Sequence, residues 1–322
     1  MLKMKSLVVL CIVFFIATLG FADKYAQGET LFKIDKGMNT TEIGKRLEDL
    51  SVINNWRYFK IWAKLKDVEG RLQAGVYNLK KNLSINSAVN ALTYGKSFLI
   101  KVTIPEGFSA DQIADRLSAR GIGRYEVFKE IITENNLEGY LYPETYYFNP
   151  GSDEKIVLDT MNRQFHKEIG PLLNGYDYSK FSKKYKFGAE EAIIMASLIE
   201  KEARIPEERA RVSAVFHNRL KKRWYIESCA TIRYILGNNK KRLLNKDLKI
   251  KSPYNTYINM GLPPGPICSP GKKSIEAALY PSNEDIMFFV KDSSDEGEHV
   301  FSRYYNDHIR AKKKRIENIA NK

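Results

Sequence analysis

The stretch Leu7 to Ala22 carries no charged side chain and follows Lys3 and Lys5 at the start of the chain. A lysine-led start before an apolar middle is the layout of an export signal. The run falls a little short of the roughly 20 residues that span a bilayer comfortably, so a cleaved signal and a retained anchor both stay open. Gly20 and Ala22 offer small residues to a peptidase, whereas bulky Phe21 and the lack of a lipobox cysteine exclude lipoprotein processing. Residues 1–6 are thus expected to be a short cytoplasmic N-terminus and residues 7–22 a transmembrane anchor or signal segment. That makes a single-pass protein of the cell membrane, with the bulk of the chain, from Asp23 on, outside the cytoplasm.

The chain of 322 residues has the length of a tether plus two domains of ordinary size. Hydrophobic residues at 43% and aromatics at 12% argue for a folded protein. A net charge of +14 admits an anionic partner: nucleic acid, acidic lipid or an acidic wall polymer. Export and the dispersal of lysines among acids argue against nucleic acid. The one basic cluster, Arg310 to Arg315, reads as a solvated helix face. Cys229 and Cys268 fall in the exported part, where a disulfide could form, although sequence gives no distance between them.

Leu31–Ile34 reads as a strand, and Thr40 or Thr41 as the cap of an amphipathic helix through Ile43, Leu47 and Leu50. A second helix follows through Trp56, Phe59, Ile61, Trp62 and Leu65, with Trp56 and Trp62 expected in the core. Gly75–Leu79 then alternates like a strand. Strand, helix, helix, strand is the order of a small LysM-like module, placed at 28–96. Beyond it, Ile100–Ile104 reads as a strand and Ser109 caps a helix carried by Ile113 and Leu117. The longest helical signal starts at Gly188 and runs through Glu200 until Pro206, which opens a helix with Val212, Val215, Phe216, Arg219 and Leu220 inward. Tyr234 reads as part of a strand. Ser252–Pro270 is too rich in Pro, Gly and Asn for regular structure, and Tyr254 and Tyr257 favour an ordered loop. The expected fold class is α+β: an N-terminal membrane segment, the small βααβ module and a larger mixed α+β domain at 97–322.

Ile193, Ala196, Ser197 and Ala203 lie three, four and seven positions from Glu200, so its carboxyl shares the inward face, whereas Glu202 falls on another side. A carboxyl pressed against apolar packing holds its proton to higher pH and can protonate a glycosidic oxygen. The alternative is a core ion pair, for instance with Arg219. The four histidines, His166, His217, His299 and His308, show no metal-ligand spacing, so no metal or other cofactor is expected.

Five segments carry a resemblance: Leu137-Glu-Gly-Tyr-Leu-Tyr-Pro-Glu-Thr-Tyr146, Ala196-Ser-Leu-Ile-Glu-Lys-Glu-Ala203, Val215-Phe-His-Asn-Arg-Leu220, Ser252-Pro-Tyr-Asn-Thr-Tyr257 and Gly261-Leu-Pro-Pro-Gly-Pro-Ile267. In this order they resemble the signature blocks of the YceG-like, or MltG-type, endolytic murein transglycosylases. The resemblance implies a lytic transglycosylase that cleaves the MurNAc-GlcNAc bond of nascent peptidoglycan to 1,6-anhydro ends. It also implies Glu200, the first Glu of its block, as acid and then base, making 97–322 the catalytic domain. Glycan strands, the membrane and cell-wall synthesis proteins would be the partners. The chain departs from the family at Glu227-Ser-Cys-Ala-Thr231, where a Gln, a small hydroxyl residue and Asp usually precede the Thr.

Tyr142, Glu144 and Tyr146 are candidates for a sugar cleft, or else an edge strand with surface tyrosines. Asn218 could orient the acid or an N-acetyl group, or cap a helix. Thr231, Tyr254, Asn255 and Thr256 complete the substrate-binding candidates. Two other readings stand beside the enzyme: a non-catalytic peptidoglycan-binding scaffold and a basic nucleic-acid binder.

Overall fold

The computed structural model describes residues 28–95, 99–182, 185–237, 243–293 and 297–320; the apolar run at 7–22 lies outside them. Among the described residues no helix is long and apolar enough to cross a membrane. The chain divides into two compact units, Met1–Ile100 and Lys101–Lys322. Among the described residues, helices and three two-stranded sheets make a mixed α+β protein.

In the first unit, β1 (Glu29–Ile34) pairs antiparallel with β2 (Gly75–Lys80), with Phe32 opposite Tyr77. Between them lie α1 (Thr40–Asp49) and α2 (Trp56–Leu65), and α3 (Ile85–Tyr94) follows as a third helix that the strand-helix-helix-strand pattern did not contain. The cap of α1 is Asn39, not a threonine. Its side chain accepts from the N–H groups of Thr41 and Glu42, and the Glu42 carboxylate accepts from Asn39 N–H. Ile43 and Leu47 are buried, while Leu50 lies past the helix end and is exposed. Gly44 lets α2 come close, since a Cβ there would sit 3.2 Å from Phe59 Cδ1. That contact sets the rotation of α2: Phe59 and Ala63 turn inward, Trp56 is half-buried and Trp62 is exposed. The tryptophans are therefore not the core of the unit.

In the second unit, β3 (Ile100–Thr103) pairs with β4 (Thr145–Phe148), joined at their edge by the Thr103 and Thr145 hydroxyls, 2.9 Å apart. Between them are α4 (Ala110–Ala119), capped by Ser109 as its sequence predicts, and α5 (Tyr125–Glu134). The long α6 (Glu154–Asn174) and the single turn α7 (Ser179–Ser182) lead to α8 (Ala189–Glu202). Every residue from Ala192 to Ile199 is buried, so the middle of α8 is packed on all sides and forms the centre of the unit. A 3₁₀ turn, Pro206–Glu208, opens α9 (Arg209–Lys221), whose Val212, Val215, Phe216, Arg219 and Leu220 face inward.

Tyr234 lies in helix α10 (Cys229–Ile235), not in a strand. The segment 252–270 has no helix or strand and is pinned to the core, with Ser197 Oγ accepting from Ile267 N–H. Helix α11 (Lys272–Leu279) packs on α8. An antiparallel hairpin, β5 (Phe288–Lys291) with β6 (His299–Ser302), and α12 (Tyr305–Ala320) complete the unit. Arg310 and Lys312–Lys314 are exposed on α12.

Candidate active site

The last turn of α8 presents two carboxylates. At 100° per residue, Glu200 and Glu202 point to opposite flanks of the helix.

Glu200 is enclosed. Its Oε2 accepts from Gly271 N–H at 3.1 Å and from the Ser274 hydroxyl at 2.7 Å, and its Oε1 lies 3.6 Å from Arg209 Nη2. The two side chains are 8% and 9% exposed. The apolar bed expected around this carboxyl is therefore a polar cage, and the cation beside it is Arg209; Arg219 instead pairs with Glu227. Arg209 Nη2 also reaches Glu106 at 3.9 Å, and its buried Nε has no hydrogen-bond partner among the described residues. Burial, then the neighbouring Glu200 carboxylate, push the Glu106 carboxyl up. Gly107, at φ +77°, donates to Ser269 O and accepts from Lys201 Nζ, which closes the turn over Glu200.

Glu202 is held on one side only. Its Oε1 accepts from the Ser228 hydroxyl at 2.6 Å and from Ala230 N–H at 3.3 Å, while Oε2 accepts no hydrogen bond among the described residues. Ser228 is fixed in turn, its N–H donating to Thr256 Oγ1 and its carbonyl accepting from Thr231 Oγ1. Cys229 Sγ lies 3.0 Å from the Tyr257 hydroxyl. The segment that departs from the family pattern thus packs against Glu202.

The substrate candidates divide. Tyr142 is half-buried, and Glu168, Glu144 and Glu106 add to the burial that pushes its hydroxyl up. Glu144 is exposed. Tyr146 is buried, stacks on Phe148 and donates to Tyr142 O at 2.7 Å, so it belongs to the packing under β4. Asn218 spends its amide on the carbonyls of Glu284 and Ile286 and does not orient a carboxylate. Thr231, Asn255 and Thr256 are buried and bonded internally. Asn255 Nδ2 donates to Leu248 O and Ile250 O, and its Oδ1 accepts from Tyr257 N–H. Thr231, on α10, and Thr256 hold Ser228, while Asn255 ties its segment to the 248–250 backbone.

Tyr254 packs on Tyr234 and, with Glu138, lines a cavity of about 690 Å³. Glu138 accepts from Ala110 N–H and the Tyr234 hydroxyl, and burial pushes its carboxyl up to about 7. Cys229 is exposed, Cys268 is buried, and both are free thiols, so the disulfide does not form. Among the described residues no group of His, Cys, Asp and Glu could hold a metal ion.

The apolar-face argument set aside the second Glu of the Ile-Glu-Lys-Glu block, and its contacts with Ser228 and Ala230 were not foreseen. Sequence reasoning also missed Ser228 and Ser274, for which spacing carries no signal because their partners lie 26 and 74 positions away.

Residues 32–314 match the profile of the YceG-like family. An endolytic murein transglycosylase of Bacillus subtilis is 32% identical over 91% of this chain and 87% of its own length. One from Streptococcus pneumoniae is 29% identical over 86% of this chain, which spans 56% of that longer relative. The crystal structure of a yceG-like protein from Listeria monocytogenes, 32% identical, superposes with a TM-score of 0.56 over 88% of this chain and 99% of the other.

Proposed function

Since the chain belongs to the YceG-like family, we propose that it is an endolytic peptidoglycan lytic transglycosylase, a lyase, with Glu202 as its acid and base. A proton donor needs a carboxyl oxygen free to meet the bridging oxygen. Glu200 has both oxygens engaged, whereas Glu202 has one held and one open. The resemblance points to Glu200; the convergence of Ser228, Cys229, Thr256 and Tyr257 beside Glu202 is the observation that favours the carboxylate two residues along.

In the proposed reaction, protonated Glu202 gives its proton to the oxygen linking MurNAc C1 to GlcNAc. The C1–O bond breaks and the GlcNAc end leaves as an alcohol. The C6 hydroxyl of the same MurNAc then attacks C1 and loses its proton to the Glu202 carboxylate, which closes the 1,6-anhydro ring and restores the acid. No water and no second carboxylate take part, unlike in the two-carboxylate hydrolases. Ser228 and Ala230 fix the carboxyl plane by holding Oε1, so Oε2 faces the substrate.

The same reading assigns Leu7–Ala22 as a membrane segment, 28–96 as a LysM-like module and 97–322 as the catalytic domain. Peptidoglycan strands are the substrate, the membrane is the site of work, and wall-synthesis proteins are the partners. Tyr142, Glu144 and Tyr254 are the substrate contacts.

Purified sacculi incubated with the protein and analysed by mass spectrometry test this. Anhydro ends should appear with wild type and vanish with Glu202→Gln. Reducing ends without the ring would make it a hydrolase, and glycan binding without new ends would make it a scaffold.

A further inference from the structure

Helix α2 buries Phe59 and Ala63 and sends its largest apolar side chains the other way. Tyr58 is 65% exposed, Ile61 55%, Trp62 39% and Leu65 72%. These positions, i, i+3, i+4 and i+7, form one continuous stripe. Single exposed apolar residues are ordinary, but a stripe of four on a ten-residue helix is a surface built to be covered. Trp62 is braced in this outward pose, since its indole N–H donates to Asn86 Oδ1 at 3.2 Å and the Lys66 ammonium lies 5.8 Å over its ring.

The chemistry around the stripe selects the cover. The helix contains no acid, and Arg57 and Lys64 run along one edge of the apolar residues. A Trp and a Tyr among aliphatic side chains, edged by cations, is the composition that lies flat in a bilayer interface. Each basic side chain near an anionic leaflet strengthens attachment about fivefold. Only residues 23–27 separate the apolar run from Gly28, and five residues reach at most about 20 Å. We propose that the outward face of α2 docks on the anionic lipid surface, laying the N-terminal unit on the membrane. This deepens the anchored reading of Leu7–Ala22 and rests on it for the proximity of the bilayer.

The chain has three tryptophans, so Trp56→Phe with Trp224→Phe leaves Trp62 as the reporter. This full-length variant is reconstituted in phosphatidylglycerol-containing nanodiscs, with and without brominated acyl chains. The expected result is weaker Trp62 emission in the brominated discs. The loss should be reversed by Arg57→Glu with Lys64→Glu and eased as salt rises from about 0.1 to about 1 M, where screening shortens from about 10 to about 3 Å. Equal emission in both discs, with the chain incorporated, overturns the proposal. Concentration-dependent dimers abolished by Ile61→Ser with Leu65→Ser also overturn it, giving the face to a second copy. Failure to enter the discs at all defeats the anchored reading alone. The variant added to anionic brominated vesicles then decides, quenching upholding the lipid face and its absence rejecting it.

Discussion

Glu200 and Glu202 share the last turn of α8 but face opposite partners: Glu200 meets Arg209 and Ser274, Glu202 meets Ser228. One sits in a closed cage and the other keeps an oxygen open, so the two glutamines separate structure from chemistry. Glu202→Gln should lower turnover by about 10²–10⁴, the usual worth of a general acid, with the melting temperature near that of wild type. Glu200→Gln should cost on the order of 3 kcal/mol, because it leaves the buried Arg209 cation without its nearest carboxylate. Thermal melts beside anhydro-end assays read both. Full activity in Glu202→Gln would return the chemistry to Glu200.

Gly139 connects Glu138 to the packing of the 252–270 segment. It has φ +83°, and a Cβ there would stand 2.5 Å from Pro266 Cβ, a rigid ring that cannot swing aside. Gly139→Ala combines left-handed backbone strain with overpacking, for about 2–4 kcal/mol of lost stability. Urea unfolding checks it, and a loss below about 1 kcal/mol would mean that the Pro266 segment yields easily.

Asn218 was a candidate for orienting the acid, and its two carbonyl partners, Glu284 and Ile286, give it a different task. Asn218→Ala should cost about 1–2 kcal/mol by releasing the 284–286 segment. Its kcat/KM, measured well below the melting temperature, should stay within about twofold of wild type. A large kinetic loss with unchanged stability would restore the substrate role.

The parts of the fold that were legible in sequence are those set by local rules. Ser109 and its helix, the buried run of α8 and the inward stripe of α9 follow from capping and periodicity. Periodicity failed at α2, where Gly44 rather than the count of apolar residues fixes which face turns in. It failed again at Glu200, because an inward face need not be apolar: Gly271 and Ser274 arrive from more than seventy positions away. Thr231, Asn255 and Thr256 were legible as important but not as buried, since hydrogen-bonding side chains serve ligand and scaffold with the same atoms.

The pH dependence of stability should come from two buried groups that titrate in overlapping windows with opposite sign. Burial pushes the His217 imidazole down from 6.5 to about 4, between the Tyr185 hydroxyl and Ala278 O. The unfolded chain therefore binds the extra proton between those values, and stability is lost as pH falls through them. Burial pushes the Glu138 carboxyl up from 4.5 to about 7, so the folded chain holds the extra proton and stability is gained as pH falls from 7 to 4.5. Each shift amounts to about 3 kcal/mol, and in the wild type the two largely cancel between pH 4.5 and 6.5. Glu138→Gln removes the gain, so its stability should drop on acidification with a slope approaching about 1.4 kcal/mol per pH unit relative to wild type. His217→Gln should show the reverse and become relatively more stable as pH falls. Denaturant titrations at pH 7, 6, 5 and about 4.5 measure both slopes. Parallel profiles for the variants and wild type would mean that neither group carries its shift into the unfolding equilibrium.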